Sequence, residues 1–224
     1  MSIILAIETA THLCSVALGR DGVLLAERTS LPGKQAHAAS VSVFVAEVMA
    51  EAGLTLKDVH AVGVGIGPGS YTGLRIGLST AKGLCHALDI PIIGVNTLTT
   101  LARAAGASAT VQWPMIDARR MEVFTQEHDA QEQPIGEVQP VVITDEWIAA
   151  QGAIRVFGDG ADKATAFWKD RSNVEYLPGI MPLARYLLPL AEERLRAGAV
   201  DDLAYLVPTY GKEANVTQPK KQGV

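Results

Sequence analysis

The stretch Gly67-Pro68-Gly69-Ser70 stands between an apolar run, Ala61 to Gly65, and a segment of helical period that ends near Leu88. Backbone N–H groups at such a strand–turn–helix junction can bind an anion, most commonly a phosphate. The lysine of a Walker loop is missing, because Gly33-Lys34 runs into Gln35 and Gly211-Lys212 into Glu213. The dinucleotide fingerprint Gly-x-Gly-x-x-Gly fails in both frames, since Gly65-Ile66-Gly67 continues as Pro68-Gly69-Ser70 and Gly67-Pro68-Gly69 reaches Thr72. The turn is therefore a poor phosphate cradle. The other reading is that it sets the angle of the helix that follows, with Ser70 or Thr72 as its cap.

Three carboxylates sit where active-site acids often sit: Glu8 at the end of the first strand, Asp117 in Ile116-Asp117-Ala118-Arg119, and Asp159 in Gly158-Asp159-Gly160. Each reads more readily as a turn former or helix-cap partner. The histidines are His12, His37, His60, His86 and His128, and no two are three to five residues apart. His37 is followed at the fourth position by Val41, so a helical His-x-x-x-His pair is missing and no metal site is expected. Ser70 lacks a Gly-x-Ser-x-Gly elbow. Cys14 and Cys85 lie in apolar surroundings and read as reduced core thiols.

These residues must be carried by a regular α/β frame. Ile3 to Glu8, Cys14 to Arg20 and Val23 to Thr29 read as three antiparallel strands, the last two joined by Asp21-Gly22, a strong hairpin signal. His37 to Ala52 reads as a helix apolar on two sides. Ala38, Val41, Val45, Val48, Met49 and Ala52 form one stripe, and Ala39, Val43, Ala46 and Ala50 form a second. Such a helix is covered on more than one side, either by its own core or by a partner helix. Ala61 to Gly65 is an unalternating buried strand, as in a sheet covered on both faces.

The helix Thr72 to Leu88 has a core stripe of Leu74, Leu78, Ala81, Cys85 and Leu88, and beside it a smaller-residue stripe of Gly73, Gly77, Thr80 and Leu84. Gly77 and Gly83 cost about 1 kcal/mol each relative to alanine inside a helix, which points either to close approach of another element or to tight packing on the chain's own sheet. A strand, Ile92 to Val95, and a helix, Thr97 to Ala105, complete a first lobe of residues 1–106.

A second lobe, 107–180, restarts with a hairpin of Val111 to Asp117 and Glu122 to Glu127. It continues with a loop at Glu132 to Glu137, a strand at Val138 to Thr144, a helix at Asp145 to Gln151, a strand at Ile154 to Phe157 and a helix at Asp162 to Trp168. In the segment 181–210, a helix from Pro182 to Arg196, kinked or divided at Pro189, and a strand from Tyr205 to Val207 return to the first lobe. The polar stretch 211–224 reads as a loose tail.

The 224 residues carry a net charge of −5 and no large basic block, which argues against wrapping nucleic acid unaided. Glu8 interrupts the first apolar run too early for a signal peptide, and no run reaches membrane-spanning length. A cytoplasmic protein without membrane contact is expected.

Several stretches together resemble the TsaB (YeaZ) family. They are Leu5-Ala6-Ile7-Glu8-Thr9-Ala10-Thr11 with Cys14-Ser15-Val16-Ala17-Leu18; the run from Gly67-Pro68-Gly69-Ser70-Tyr71-Thr72-Gly73 to Gly77; Ile92-Ile93-Gly94-Val95-Asn96-Thr97-Leu98; Ile116-Asp117-Ala118-Arg119 with Glu122-Val123; and Val207-Pro208-Thr209-Tyr210. The resemblance implies a two-lobed actin-like and sugar-kinase-like (ASKHA) fold, each lobe a mixed sheet with helices. It also implies a role in placing threonylcarbamoyladenosine in tRNAs that read A-starting codons.

In that family the protein is a non-catalytic partner that activates a TsaD-like catalytic paralogue, joined by a TsaE-like P-loop ATPase. Alone it forms a homodimer through the same first-lobe helices, and it meets tRNA only through the complex. The resemblance implies no cofactor of its own, with nucleotide at most at the interface with the catalytic subunit. The partner-interface candidates are then Ala39, Val43, Ala46, Ala50, Gly73, Gly77, Thr80 and Leu84. The nucleotide-proximal candidates are Glu8, Thr9, Gly67, Gly69, Ser70 and Asp117. Glu8 stands where the family more often has Asp, and Thr9 where actin-like ATPases usually have glycine, and both departures count against independent nucleotide chemistry. The competing readings are a stand-alone actin-like ATPase or kinase and, further off, a peptidase.

Overall fold

The computed structural model describes residues 1–30 and 37–211, with residues 37–39 described by their backbone alone. The first sheet is built from β1 (Ile3–Glu8), β2 (Ser15–Arg20), β3 (Val23–Thr29), β4 (Ala61–Gly67) and β5 (Ile92–Asn96), in the order β3-β2-β1-β4-β5. β1 is antiparallel to β2 and parallel to β4, and β4 is parallel to β5. The central strand is apolar on both faces because helices cover both. α1 (His37–Glu51) and α2 (Tyr71–Leu88) share one core with β1, β2 and β4, through Val41, Val45, Val48, Leu78 and Ala81. α7 (Ala184–Arg196) covers the other face, with Leu187, Leu188 and Ala191 against Ile4, Ala17 and Ile93.

The second sheet is β10-β9-β6-β7-β8, from β6 (Val111–Asp117), β7 (Glu122–His128), β8 (Pro134–Val142), β9 (Ile154–Phe157) and β10 (Val174–Leu177). Numbered by order within each lobe, both sheets run 3-2-1-4-5 with the same parallel and antiparallel pairs. Between β8 and β10 lie three short helices, α4 (Asp145–Ala149), α5 (Asp159–Lys163) and α6 (Thr165–Trp168). The first-lobe helix α3 (Thr97–Ala105) joins the lobes: its Leu98, Leu101 and Ala102 share a core with Ile116, Phe124 and Phe157. The two-lobed, mixed-sheet architecture is the one expected from the sequence.

Several local expectations are corrected. β8 begins at Pro134, inside the stretch read as a loop, because an edge strand tolerates Pro134 and Pro140 and pairs with β7 all the same. β10 was not foreseen, and its four residues owe their strand conformation to parallel pairing with β9. The helix expected over Asp162 to Trp168 is two short ones. Pro189 lies within the single helix α7 and does not divide it. Tyr205 to Val207 forms no strand, and the nearest pairing is the lone bridge between Asp201 and Ile92. The expected tail from 212 onward lies outside the described residues.

Candidate docking face and interlobe junction

The turn between β4 and α2 places Gly67 at φ +103°, a conformation for which glycine is the natural residue. Its hydrogen bonds are made within the chain. Gly67 N–H donates to Thr97 Oγ1 at 3.2 Å, Ser70 N–H donates to the Ala10 carbonyl at 2.7 Å, and Ser70 Oγ caps α2 by accepting from Gly73 N–H at 3.2 Å. A side chain at Gly67 would strike the Thr209 carbonyl, and one at Gly69 the Ala10 carbonyl. The turn is thus filled by the chain itself, as the helix-aiming reading requires.

Glu8 and Thr9 are likewise interior. Glu8 is 1% exposed; burial pushes its carboxyl up to about 7, against the opposing effect of bonds from the Ala10 and Thr9 backbone and the Thr97 hydroxyl. Ala10 N–H donates to it at 2.8 Å. Thr9 is fully buried, and its Oγ1 donates to the Gly73 carbonyl at 2.8 Å. Asp117 stands apart from these on the second lobe: it is exposed, pairs with Lys163, and accepts from Arg119 N–H at 2.7 Å. Its own N–H donates to Asp159 Oδ1 at 2.9 Å, and burial raises the Asp159 carboxyl, with His12 of the first lobe close enough to oppose that.

The partner-interface candidates divide. On α1, Val41, Val45, Val48 and Met49 are buried, whereas Val43, Ala46 and Ala50 face outward, with Val43 52% exposed. Ala39 lies outside the residues whose side chains are described. On α2 the two glycines of the smaller-residue stripe are closed off within the free chain. Gly73 and Gly77 are buried, and added side chains would meet the Thr9 carbonyl and the Thr9 hydroxyl. The element that approaches these glycines is the chain's own loop after β1. Thr80 is half-buried and its hydroxyl donates to the Ile76 carbonyl at 2.9 Å, while Leu84, also half-buried, packs against the core beneath α1 and α2.

The outward face of α2 is one that the stripe reading missed. Tyr71, Thr72, Arg75, Ile76 and Ser79 line a shallow groove. Arg75 Nη1 donates to the Tyr71 hydroxyl at 2.7 Å, and its guanidinium carbon lies 5.2 Å from the centre of the same ring. The signal was the Tyr-x-x-x-Arg spacing, which puts both residues on one side of a helix. Together the α1 and α2 faces form one helical layer that presents valine, alanine, tyrosine and arginine to solvent. Among the described residues no cluster of three metal-ligating side chains occurs, and no helix is long and apolar enough to cross a membrane.

Residues 32–205 match the family model described as TsaD: tRNA N6-adenosine threonylcarbamoyltransferase. The chain is 34% identical to the tRNA threonylcarbamoyladenosine biosynthesis protein TsaB of Escherichia coli K12, over 98% of both chains. It is 37% identical to the Bacillus subtilis protein of that name over 54% of this chain and 53% of the other. The crystal structure of YeaZ from Pseudomonas aeruginosa superposes with a TM-score of 0.78 at 30% identity, covering 94% of this chain and all of the other. A dehydratase activator from Clostridium difficile, at 10% identity and a TM-score of 0.55, shares the fold alone. The near-complete match to a biosynthetic TsaB and the superposition on YeaZ agree with the motifs around Glu8 and Gly67, and the chain belongs to the TsaB (YeaZ) family.

Proposed function

We propose that this chain is a non-catalytic subunit of the cytoplasmic machinery that places threonylcarbamoyladenosine in tRNAs reading A-starting codons. It docks on a TsaD-like catalytic paralogue, with a TsaE-like P-loop ATPase as the third component, and reaches tRNA only through that complex. The observation that carries the reading is the outward face of α1, where Val43, Ala46 and Ala50 leave an apolar, small-residue surface on the helix that packs against α2. Apolar helix faces of this kind pack against other helices. The match to a model described as TsaD supports a paralogous relation to the catalytic subunit, and in this reading the α1 face meets that paralogue and, when the chain is alone, a second copy. The internal bonding of the Gly67–Ser70 turn favours nucleotide at the joint interface over a site of this chain's own.

The test uses Val43→Glu and Ala46→Arg in the full chain. Both variants are expected to keep the circular dichroism of the wild type. They are also expected to lose the dimer by size-exclusion chromatography and to lose modification of tRNA when mixed with the catalytic paralogue, the ATPase and threonylcarbamoyl-adenylate. Unchanged dimer and unchanged modification would sink the assignment.

A further inference from the structure

The segment that follows α7 ends on three different elements. Thr209 N–H donates to the Ile66 carbonyl at 2.7 Å, at the end of β4, and the Thr209 carbonyl fills the space left by the missing side chain of Gly67. The Tyr210 ring lies 5.0 Å from the Tyr71 ring at an interplanar angle of 32°, on the first turn of α2. Gly211, at φ +72°, passes so close to Phe124 of β7 that a Cβ would stand 2.7 Å from the ring. Three consecutive residues, Thr209, Tyr210 and Gly211, therefore touch the first sheet, the edge of the α2 groove and the second lobe.

We propose that Thr209–Gly211 is a clasp that couples the angle between the lobes to the shape of the α2 groove. The lobes are already joined by the core around α3. A joint built around one helix can act as a hinge, and a further tie at a different place restricts that freedom. Opening the lobes must either lift Gly211 from Phe124 or draw Tyr210 away from Tyr71. Tyr71 carries Arg75 through a hydrogen bond and ring contact, so the second course also reshapes the groove. In the other direction, an occupant of the groove that fixes Tyr71 also fixes the lobe angle. The coupling is a property of the free chain and stands whether or not the docking reading holds.

Hydrogen exchange on the full chain tests it, comparing wild type with Tyr71→Ala, Tyr210→Ala, Tyr210→Phe and Gly211→Val. Tyr71→Ala is the decisive variant, because Tyr71 lies on the first lobe and is tied to Gly211 and the second lobe through its ring contact with Tyr210. Both alanine variants and Gly211→Val are expected to exchange several-fold faster in segments covering 66–75 and 122–126, with α7 protected as in wild type. Tyr210→Phe keeps the ring and is expected to match wild type. Faster exchange confined to the substituted segment would overturn the proposal. So would an increase spread over α7 as well, which would mark general destabilisation, or a phenylalanine variant as loose as the alanine one.

Discussion

Thr9 decides what the glycines of α2 are for. Its carbonyl and hydroxyl occupy the space that side chains at Gly73 and Gly77 would need. In a free helix Gly77→Ala would gain about 1 kcal/mol of propensity. Here the new methyl collides with Thr9 Oγ1, and overpacking of this kind costs about 1–3 kcal/mol. Gly77→Ala is therefore expected to lower the urea midpoint, with a net loss of up to about 2 kcal/mol. Thr9→Ala alone loses the bond to the Gly73 carbonyl, worth about 1 kcal/mol. With Thr9→Ala in place, however, Gly77→Ala should become neutral or stabilising, since the Thr9 Cβ stands at an ordinary 3.5 Å. A double-variant cycle in urea reads the coupling, and purely additive effects would show that Thr9 is not what fills the stripe. The cost of an interior helix glycine pointed to a close neighbour at both Gly77 and Gly83, yet only Gly77 has one, and Gly83 faces open space. Sequence could not show that the approaching group stands 68 residues earlier in the chain, at position 9, because periodicity reports one element at a time.

At the scale of elements, the two stripes of α1 have opposite fates. Val41 is fully buried and Val43 is 52% exposed, two residues apart on the same helix. Val41→Ala is expected to cost about 2 kcal/mol through lost burial and a residual cavity, and Val43→Ala to stay within about 0.5 kcal/mol. Thermal unfolding of the two single variants checks the assignment of faces, and equal losses would mean that Val43 is also covered in the free chain. Both stripes were legible from spacing, as was the Asp21-Gly22 hairpin. Which stripe met the sheet was not, because valine and alanine are equally at home in a core and at an interface. Strands that exist by pairing alone were the other blind spot. β10 has only four residues, and the β8 sequence holds two prolines and a glycine. The Tyr205 to Val207 stretch shows the converse error, an apolar triplet with no partner strand to pair with.

The molecule as a whole repeats one topology twice, and the repeat places a carboxylate at the end of each lobe's first strand: Glu8 of β1 and Asp117 of β6. The two have gone different ways, one buried and one exposed, and the buried Glu8 shapes stability through its own ionisation. Its carboxyl sits near 7 in the folded chain against 4.5 when free, so the native state holds the proton more tightly. Stability from this group is full below about pH 4.5 and is lost as pH rises to about 7, a change on the order of 3 kcal/mol. His128 has the opposite sign. It is fully buried where β7 meets α3, with Nδ1–H donating to the Gln126 carbonyl at 2.9 Å and Nε2 facing the Thr99 hydroxyl at 3.5 Å. Burial lowers its affinity for a proton, with the Gln126 bond and the Asp129 charge opposing. Its contribution is present above about pH 6.5 and is lost on acidification. The two slopes oppose each other across the same window, so the wild-type profile is expected to be flatter than either group alone would give. Glu8→Gln should unmask a stability that rises between about pH 5 and 7, and His128→Gln one that falls over the same range. Urea unfolding of the three proteins across that range decides the matter. A wild-type profile that either substitution leaves unchanged would mean that the corresponding group does not titrate between the folded and unfolded states.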